Sequence, residues 1–307
     1  MSTLFTDFFN KINTISPLEH DFTEVLNSIA LTPKTLYFRG KLPENMAKNN
    51  PKRSPVVAIV GSRHNTRYGK EVAYKLAYEL GRRGVIVVSG LAFGIDSIGH
   101  QGCLDAGGTT IAVLGTSIDN IYPKPHLPLA RAIVEKGGAI ISEYAPGNNP
   151  ITTFSFLERN RIISGLSDIV VVVEAAEKSG SLNTATHALD QGKEVFAVPG
   201  NITSPYSQGC NKLIKQGALP YTEPDDILRL LFPEDYVKKH QTARKNGLIG
   251  DTDVETFILQ AIGEGLRNGE EIMQKTKLPP EVFNQTVTLL EIKGKIRALG
   301  MNNWGLC

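Results

Sequence analysis

The chain has 307 residues, 41% hydrophobic and 21% charged, enough to bury one large α/β core and a second, small domain. Lys and Arg number 33 against 31 Asp and Glu, a formal net charge of +2, so composition announces no polyanion-binding protein and any basic surface must be local. Cys103, Cys210 and Cys307 stand far apart with no CxxC pair or Cys/His cluster, which argues against a disulfide framework or metal site. No apolar run approaches the ~20 residues of a membrane span, and the N-terminus lacks a signal-peptide pattern. The expectation is a soluble cytoplasmic protein.

Residues 1–50 form a short N-terminal segment with one lead-in strand at Leu36-Tyr37-Phe38, bounded by Pro33 and Gly40. Asn49-Asn50-Pro51-Lys52-Arg53 then breaks the chain. Over 51–232, six β-branched runs alternate with helical-period segments: VVAIV (56–60), VIVVS (85–89), TTIAVL (109–114), AIISEY (139–144), DIVVVV (168–173) and EVFAV (194–198). Such alternation predicts an α/β fold with a Rossmann-like, doubly wound, mostly parallel sheet. Between the first two runs a helix over 66–82 places Val72, Leu76 and Leu80 on one face, with Thr66 as N-cap. Residues 233–250 read as a charged linker, and 251–307 as three short helices with a β-type ending, the outline of a small winged helix.

In an open α/β sheet, ligands gather beyond the carboxyl ends of the strands, where helix N-termini offer free N–H groups. The first strand ends in Gly61-Ser62-Arg63, which supplies close approach, hydroxyl and amide donors and a guanidinium fork for phosphate oxygens. A tight turn with an exposed arginine has the same letters. The second junction, Ser89 to Asp96, adds Gly90 and Gly94, with Asp96 expected to cap the next helix. Lys124 sits in the stiff run Ile121-Tyr122-Pro123-Lys124-Pro125-His126 near the same edge. Phe154, Arg159, Asn160 and Arg161 combine an aromatic with cations, as single-strand binders do, although a helix with Phe154 and Ile162 packed inward would look alike. Ser179-Gly180-Ser181 opens a further helix suited to an anion. Glu143 and Glu174 are expected to orient an arginine such as Arg159 or Arg161 rather than to act as acid and base.

GxGxxG, GxxxxGK[ST] and GxSxG are all absent, which disfavours NAD, a P-loop nucleotide and a serine hydrolase; no cofactor or metal is expected.

From about Val56 to Gly217 the blocks AIVGSR, VVSGLAFGIDSIGHQGCLDAGGTTIAVLG, IYPKPH, ISEYAPG, FSFLERNRIISGLSDIVVVVEAAEKSGSLNTATHALDQGKEVFAVPGNI and SQGCNKLIKQGA strongly resemble the DprA/Smf (DNA-processing protein A) family. LTPKTLYFRG resembles its lead-in strand and 251–307 its C-terminal winged helix. The resemblance implies a single-stranded DNA binder rather than an enzyme, usually a homodimer, that helps load the RecA recombinase in natural transformation. By motif it places Arg63 and Lys124 on the DNA backbone; Gly61, Ser62, Gly94, Phe154, Arg159, Asn160 and Arg161 lie in the same or adjoining blocks. Many members carry a full helical N-terminal domain where this sequence offers only about 30 residues, so the resemblance carries over no function of that domain. Two alternatives use the same cradle. One is a nucleoside-monophosphate hydrolase of the lysine-decarboxylase-like (LOG) group, whose PGGxGTxxE block is here SGSLNTATH with His187 in place of the glutamate. The other is a nucleotide-sensing module.

Overall fold

The computed structural model describes residues 9, 11–47, 49–148, 151–233 and 248–307, so the linker expected at 233–250 falls almost entirely outside the described residues. The chain divides into two compact units, Met1–Ile227 and Leu228–Cys307.

The first unit is built on a nine-stranded sheet. In chain order its strands are β1 (Asn13–Ile15), β2 (Leu36–Gly40), β3 (Val56–Val60), β4 (Ile86–Ser89), β5 (Thr110–Leu114), β6 (Ala139–Ser142), β7 (Ile169–Val172), β8 (Glu194–Ala197) and β9 (Leu219–Pro220), arranged β1-β2-β6-β5-β4-β3-β7-β8-β9. All six expected runs form strands, and β3 through β9 pair in parallel. The lead-in strand β2 pairs antiparallel with β6, Tyr37 opposite Ser142, and β1 adds the edge. Every residue of β3 is buried because helices cover both faces, which is why the run shows continuous apolarity and no alternation. The N-terminal segment is joined to this core: Phe22, Leu26, Ile29 and Leu36 pack in one cluster with Val56, Val60, Ile141 and Ile162.

The crossovers run outward from β3 through β4 and β5 to β6, and then the chain returns to the other side of β3 as β7. That reversal opens a crevice beyond the carboxyl ends of β3 and β7. The longer helices that flank the sheet among the described residues are α1 (Arg67–Arg82), α2 (Ile95–Asp105), α3 (Leu127–Glu135), α4 (Thr153–Leu166), α5 (Gly180–Asp190) and α6 (Gln208–Lys215). Thr66 caps α1 as expected, its hydroxyl accepting the Gly69 amide. The buried face of α1 runs through Ala73, Leu76, Ala77 and Leu80 and leaves Val72 half-buried. Small residues allow α1 and α2 to approach closely: a methyl on Gly102 would stand 2.6 Å from the Tyr74 carbonyl oxygen. A face built from Ala and Gly is faint in a hydrophobic pattern, so the reading settled one residue away.

Asp96 does not cap α2. Gly94 holds that position at φ +79°, and the buried Asp96 carboxylate turns back to accept the amides of Gly90 at 3.1 Å and Ala92 at 3.4 Å. Those two donors lie in a buried loop, where an unpaired N–H costs more than an unfilled helix cap.

The second unit contains α7 (Asp253–Gly263), α8 (Gly269–Thr276) and α9 (Pro280–Ile292), followed by the antiparallel hairpin β10 (Ile296–Gly300) and β11 (Asn303–Leu306). Ile258, Ile262, Ile272, Phe283, Val287, Leu290 and Ile296 form its core. Lys293 bridges Asp251 at 2.8 Å and Glu255 at 2.6 Å, tying the end of α9 to the start of α7. This is the winged-helix outline.

His100, on α2, is fully buried, and its Nδ1 lies 2.7 Å from the Thr110 hydroxyl. That hydroxyl donates its single proton to the Val87 carbonyl at 2.7 Å, so Nδ1 carries the imidazole hydrogen and the buried Nε2 has no hydrogen-bond partner among the described residues. Burial pushes the imidazole pKa down to about 3. The native state therefore binds fewer protons than the unfolded chain between about pH 6.5 and that value, and stability falls with acidification. We expect His100 to contribute a slope of up to about 1.4 kcal/mol per pH unit across this window. Urea melts at about pH 7 and pH 4.5 should show a smaller acid loss for His100→Gln than for the wild type.

Candidate nucleic-acid interface

A cavity of about 590 Å³ fills the crevice at the strand reversal. The β3–α1 turn supplies Gly61, Ser62 and Arg63; α4 supplies Thr152, Thr153, Phe156, Arg159 and Asn160; the β7–α5 loop supplies Lys178, Ser179, Gly180 and Ser181. Thr152 caps α4 through the Ser155 amide and Ser179 caps α5 through the Ser181 amide. The positive ends of two helix dipoles thus meet at one cavity.

The first turn is wired differently from the expectation. The Ser62 amide donates to the Glu174 carbonyl at 2.7 Å, and its hydroxyl accepts the His64 amide at 3.1 Å and donates to the His64 carbonyl at 2.9 Å. Both donors expected to meet phosphate are thus committed within the fold. The N-terminus of α1 is also occupied: Glu174 accepts the Thr66 amide at 2.8 Å and the Thr66 hydroxyl at 2.6 Å. Glu174 orients no arginine among the described residues; it serves the start of this helix.

What the turn does present is Arg63. Its side chain is exposed, its guanidinium lies 5.3 Å from the centre of the Phe156 ring, and among the described residues it forms no ion pair. Lys178 is likewise exposed and unpaired among the described residues at the cavity mouth. Lys124 occupies an adjoining depression with Phe93, Tyr122 and Ile151. A narrow recess lined by Arg63, Phe93, Tyr122 and Phe156 lies beside both. Tyr122 and Phe156 stand 5.6 Å apart, and Phe93 meets His126 edge-on at 4.8 Å. Cations and partly exposed rings therefore share one rim.

The two arginines of α4 do other work. Arg159 is 5% exposed and donates to the carbonyls of Gly90, at 2.8 Å, and Val113, and to Asn160 Oδ1. Burial lowers its pKa to about 10, opposed by the neighbouring Asp96, so the guanidinium remains charged at neutral pH. Arg161 is 3% exposed; it grips both carboxylate oxygens of Glu143 at 2.7 and 2.8 Å and donates to the Leu31 carbonyl at 2.8 Å. Glu143 thus orients an arginine, as expected. Asn160 joins α4 to α5 through the Gly180 carbonyl and Asn183, both at 3.2 Å. Gly94 shapes the turn from behind, since a methyl there would lie 2.2 Å from the Ser62 carbonyl oxygen.

Of the residues expected at the site, Gly61, Ser62, Arg63, Arg159 and Asn160 line one cavity, Lys124 lies next door and Gly94 supports the wall. Phe154 and Arg161 are outside this set: Phe154 is 71% exposed on another face of α4, and Arg161 points into its pair with Glu143. Phe156 takes the position assigned to Phe154, because Thr152, Phe156 and Asn160 share a helical face at four-residue spacing. The reading gave no role to Phe93, Tyr122 and Lys178, although each lies inside a run it quoted. No cluster of His, Cys, Asp and Glu that could hold a metal occurs among the described residues.

Helix N-termini, cations with no ion pair among the described residues and partly exposed rings gather at the switch point of an open parallel sheet, and a winged helix follows in the chain: the class is a Rossmann-like α/β protein with a polar crevice at that point. The match to known families is direct. The chain belongs to the DNA recombination-mediator protein A family, whose profile matches residues 13–232, and the DprA winged-helix profile matches residues 243–300. It is 50% identical over 175 residues to Protein Smf of Escherichia coli, a match covering 57% of this chain and 46% of that protein. It is 42% identical to DNA processing protein DprA of Bacillus subtilis, over 74% of this chain and 73% of that one. The X-ray structure of DprA from Streptococcus pneumoniae superposes with a TM-score of 0.63 at 38% identity, covering 73% of this chain and 75% of that one. The Helicobacter pylori DNA processing protein A, solved for its single-stranded DNA binding mode, gives 0.62 at 31% identity over 73% of this chain and 97% of that one.

The buried and exposed cations should separate in a stability assay. Arg159→Ala strands the Gly90 and Val113 carbonyls and deprives Asp96 of its neighbouring charge, and we expect it to cost about 3–5 kcal/mol in urea denaturation. Arg63→Ala should stay within about 0.5 kcal/mol of wild type.

Proposed function

We propose that this chain binds single-stranded DNA through its sugar-phosphate backbone, without sequence preference, along the rim carrying Arg63, Lys124 and Lys178, and that as a homodimer it helps load RecA on the strand in recombination or natural transformation. The observation that carries the reading is the pairing of exposed cations, unpaired among the described residues, with the Phe93, Tyr122 and Phe156 rings at one sheet edge. The single-stranded DNA binding mode described for the Helicobacter pylori relative supports it. Each cation that neutralises a phosphate releases counterions, and each ring that stacks on a base adds about 1–3 kcal/mol whatever the base. Phosphates carry no sequence information, so such a site reads length and single-strandedness. No bond is made or broken in this scheme.

Binding of labelled oligothymidylate as a function of salt tests the proposal. Arg63→Ala and Lys124→Ala should each weaken binding and lower the log–log salt slope by about 0.7. Wild-type affinity in both variants would refute the site. Competition by a free mononucleotide at low concentration would instead favour a nucleotide sensor, and release of base from a nucleoside monophosphate would favour a hydrolase. RecA loading is tested by the rate of RecA assembly on single strands with and without the chain, and the dimer by sedimentation.

The winged helix is assigned to protein contact. On α9, Glu281 and Glu291 are exposed, and Lys293 at its end is held by Asp251 and Glu255. Deleting 251–307 should leave oligothymidylate affinity within about twofold of wild type, since every proposed contact lies in the first unit. A loss of an order of magnitude would contradict that division.

A further inference from the structure

In sheets of this kind a ligand phosphate is expected at the N-terminus of the helix that follows the first central strand. Here that place belongs to the protein. Glu174, one residue beyond the buried end of the β7 run and itself 2% exposed, sets its carboxylate against α1: one oxygen accepts the Thr66 amide at 2.8 Å, the other the Thr66 hydroxyl at 2.6 Å. A methyl on Gly69 would fall 2.2 Å from the same carboxylate, so the helix keeps glycine where the anion is seated. The main chain of Glu174 acts as well, its carbonyl accepting the Ser62 amide at 2.7 Å. Residues 62 and 66 are therefore fastened to one residue, and Arg63 rides on the short span between them.

We propose that Glu174 is a positioning residue for DNA binding: a built-in carboxylate that takes the place of a nucleotide phosphate at α1 and fixes the turn that aims Arg63. This rests on the DNA-binding reading above. The carboxylate also repels any second anion from α1, so a mononucleotide is denied the phosphate position usual for such folds, and the crevice mouth is left to a polymer held by Arg63 and its neighbours.

Charge and positioning predict opposite signs. Glu174→Gln removes a negative charge close to a phosphate-binding rim, which by Coulomb attraction alone would tighten DNA binding. If Glu174 positions Arg63, the same change weakens it; we expect a loss of roughly tenfold in oligothymidylate affinity. The loss should vanish in an Arg63→Ala background, because the two residues act through one contact. Thr66→Ala should weaken binding in the same way, and Thr66→Ser, which keeps the hydroxyl, should restore it, so the test survives if Glu174→Gln does not fold. Binding equal to or tighter than wild type in Glu174→Gln, an undiminished loss in the Arg63→Ala background, or a Thr66→Ser variant as weak as Thr66→Ala would each overturn the proposal.

If the wild-type protein binds no oligothymidylate, the DNA-binding reading falls, and the seat of the carboxylate is tested separately. In Glu174→Ala, inorganic phosphate should raise Tm more than it does in the wild type by filling the vacated helix end. Equal shifts in the two proteins would refute the anion-mimic assignment.

Discussion

The crevice is organised around the buried guanidinium of Arg159, which reaches from α4 to carbonyls at the ends of two neighbouring strands, β4 and β5, while Asp96 gathers the amides of the intervening loop. Parallel strands end with carbonyls and turns that must find partners, and the rim of such a sheet cannot be both enclosed and polar unless something fixed supplies them. A permanently charged fork with five donors suits that task. Burial pushes the Asp96 carboxyl upward, and the nearby Arg159 pulls it back. Neither group is a simple surface charge, yet without them the loops that carry the exposed rim residues would have no common frame.

From this follows a division of labour among the cations. Arg159 and Arg161 are interior parts of α4, one holding strand ends and the other clamped by Glu143. Arg63, Lys124 and Lys178 lie outside and, among the described residues, carry no ion pair. A formal net charge of +2 is thus compatible with a locally cationic rim, because several acidic residues pair with bases elsewhere: Glu71 with Arg67, Glu79 with Arg82 and Arg83, Asp168 with Arg53. Over a Debye length of about 8–10 Å a ligand senses this local arrangement and not the total.

The sequence made the scaffold legible because a buried parallel strand has no choice of composition; VVAIV and its fellows could hardly be anything else. The short edge strands β1 and β9 escaped notice, being three and two residues long, with proline in the latter. Motifs located the rim, and Arg63 and Lys124 stand outward as a one-dimensional reading suggests. That reading could not separate Phe154 from Phe156 or a buried arginine from an exposed one, since both distinctions depend on helix phase and on partners distant in sequence. Leu31, Glu143, Gly90 and Val113, the groups that hold Arg159 and Arg161, lie between 18 and 130 residues away. Glu174 was read as a partner for arginine for the same reason: its true partner, Thr66, is 108 residues upstream.

The winged helix shows how little a fold label says about charge. A duplex reader places its third helix in the major groove and needs cations or amides aimed at phosphates and base edges. The outward residues of α9 include the amides Asn284 and Gln285 but also Glu281, Leu289, Glu291 and Ile292, the last 78% exposed, and Lys293 is folded back on Asp251 and Glu255, so the helix presents no free cation among the described residues. The exposed carboxylates of this helix would meet the phosphate backbone with repulsion, and Leu289 and Ile292 would leave apolar area in water. In the function proposed here that face meets a protein, where apolar burial would supply affinity and the carboxylates would choose among basic surfaces. Exposed cations beside partly exposed rings thus belong to the first unit, and exposed carboxylates beside exposed apolar side chains to the third helix of the second.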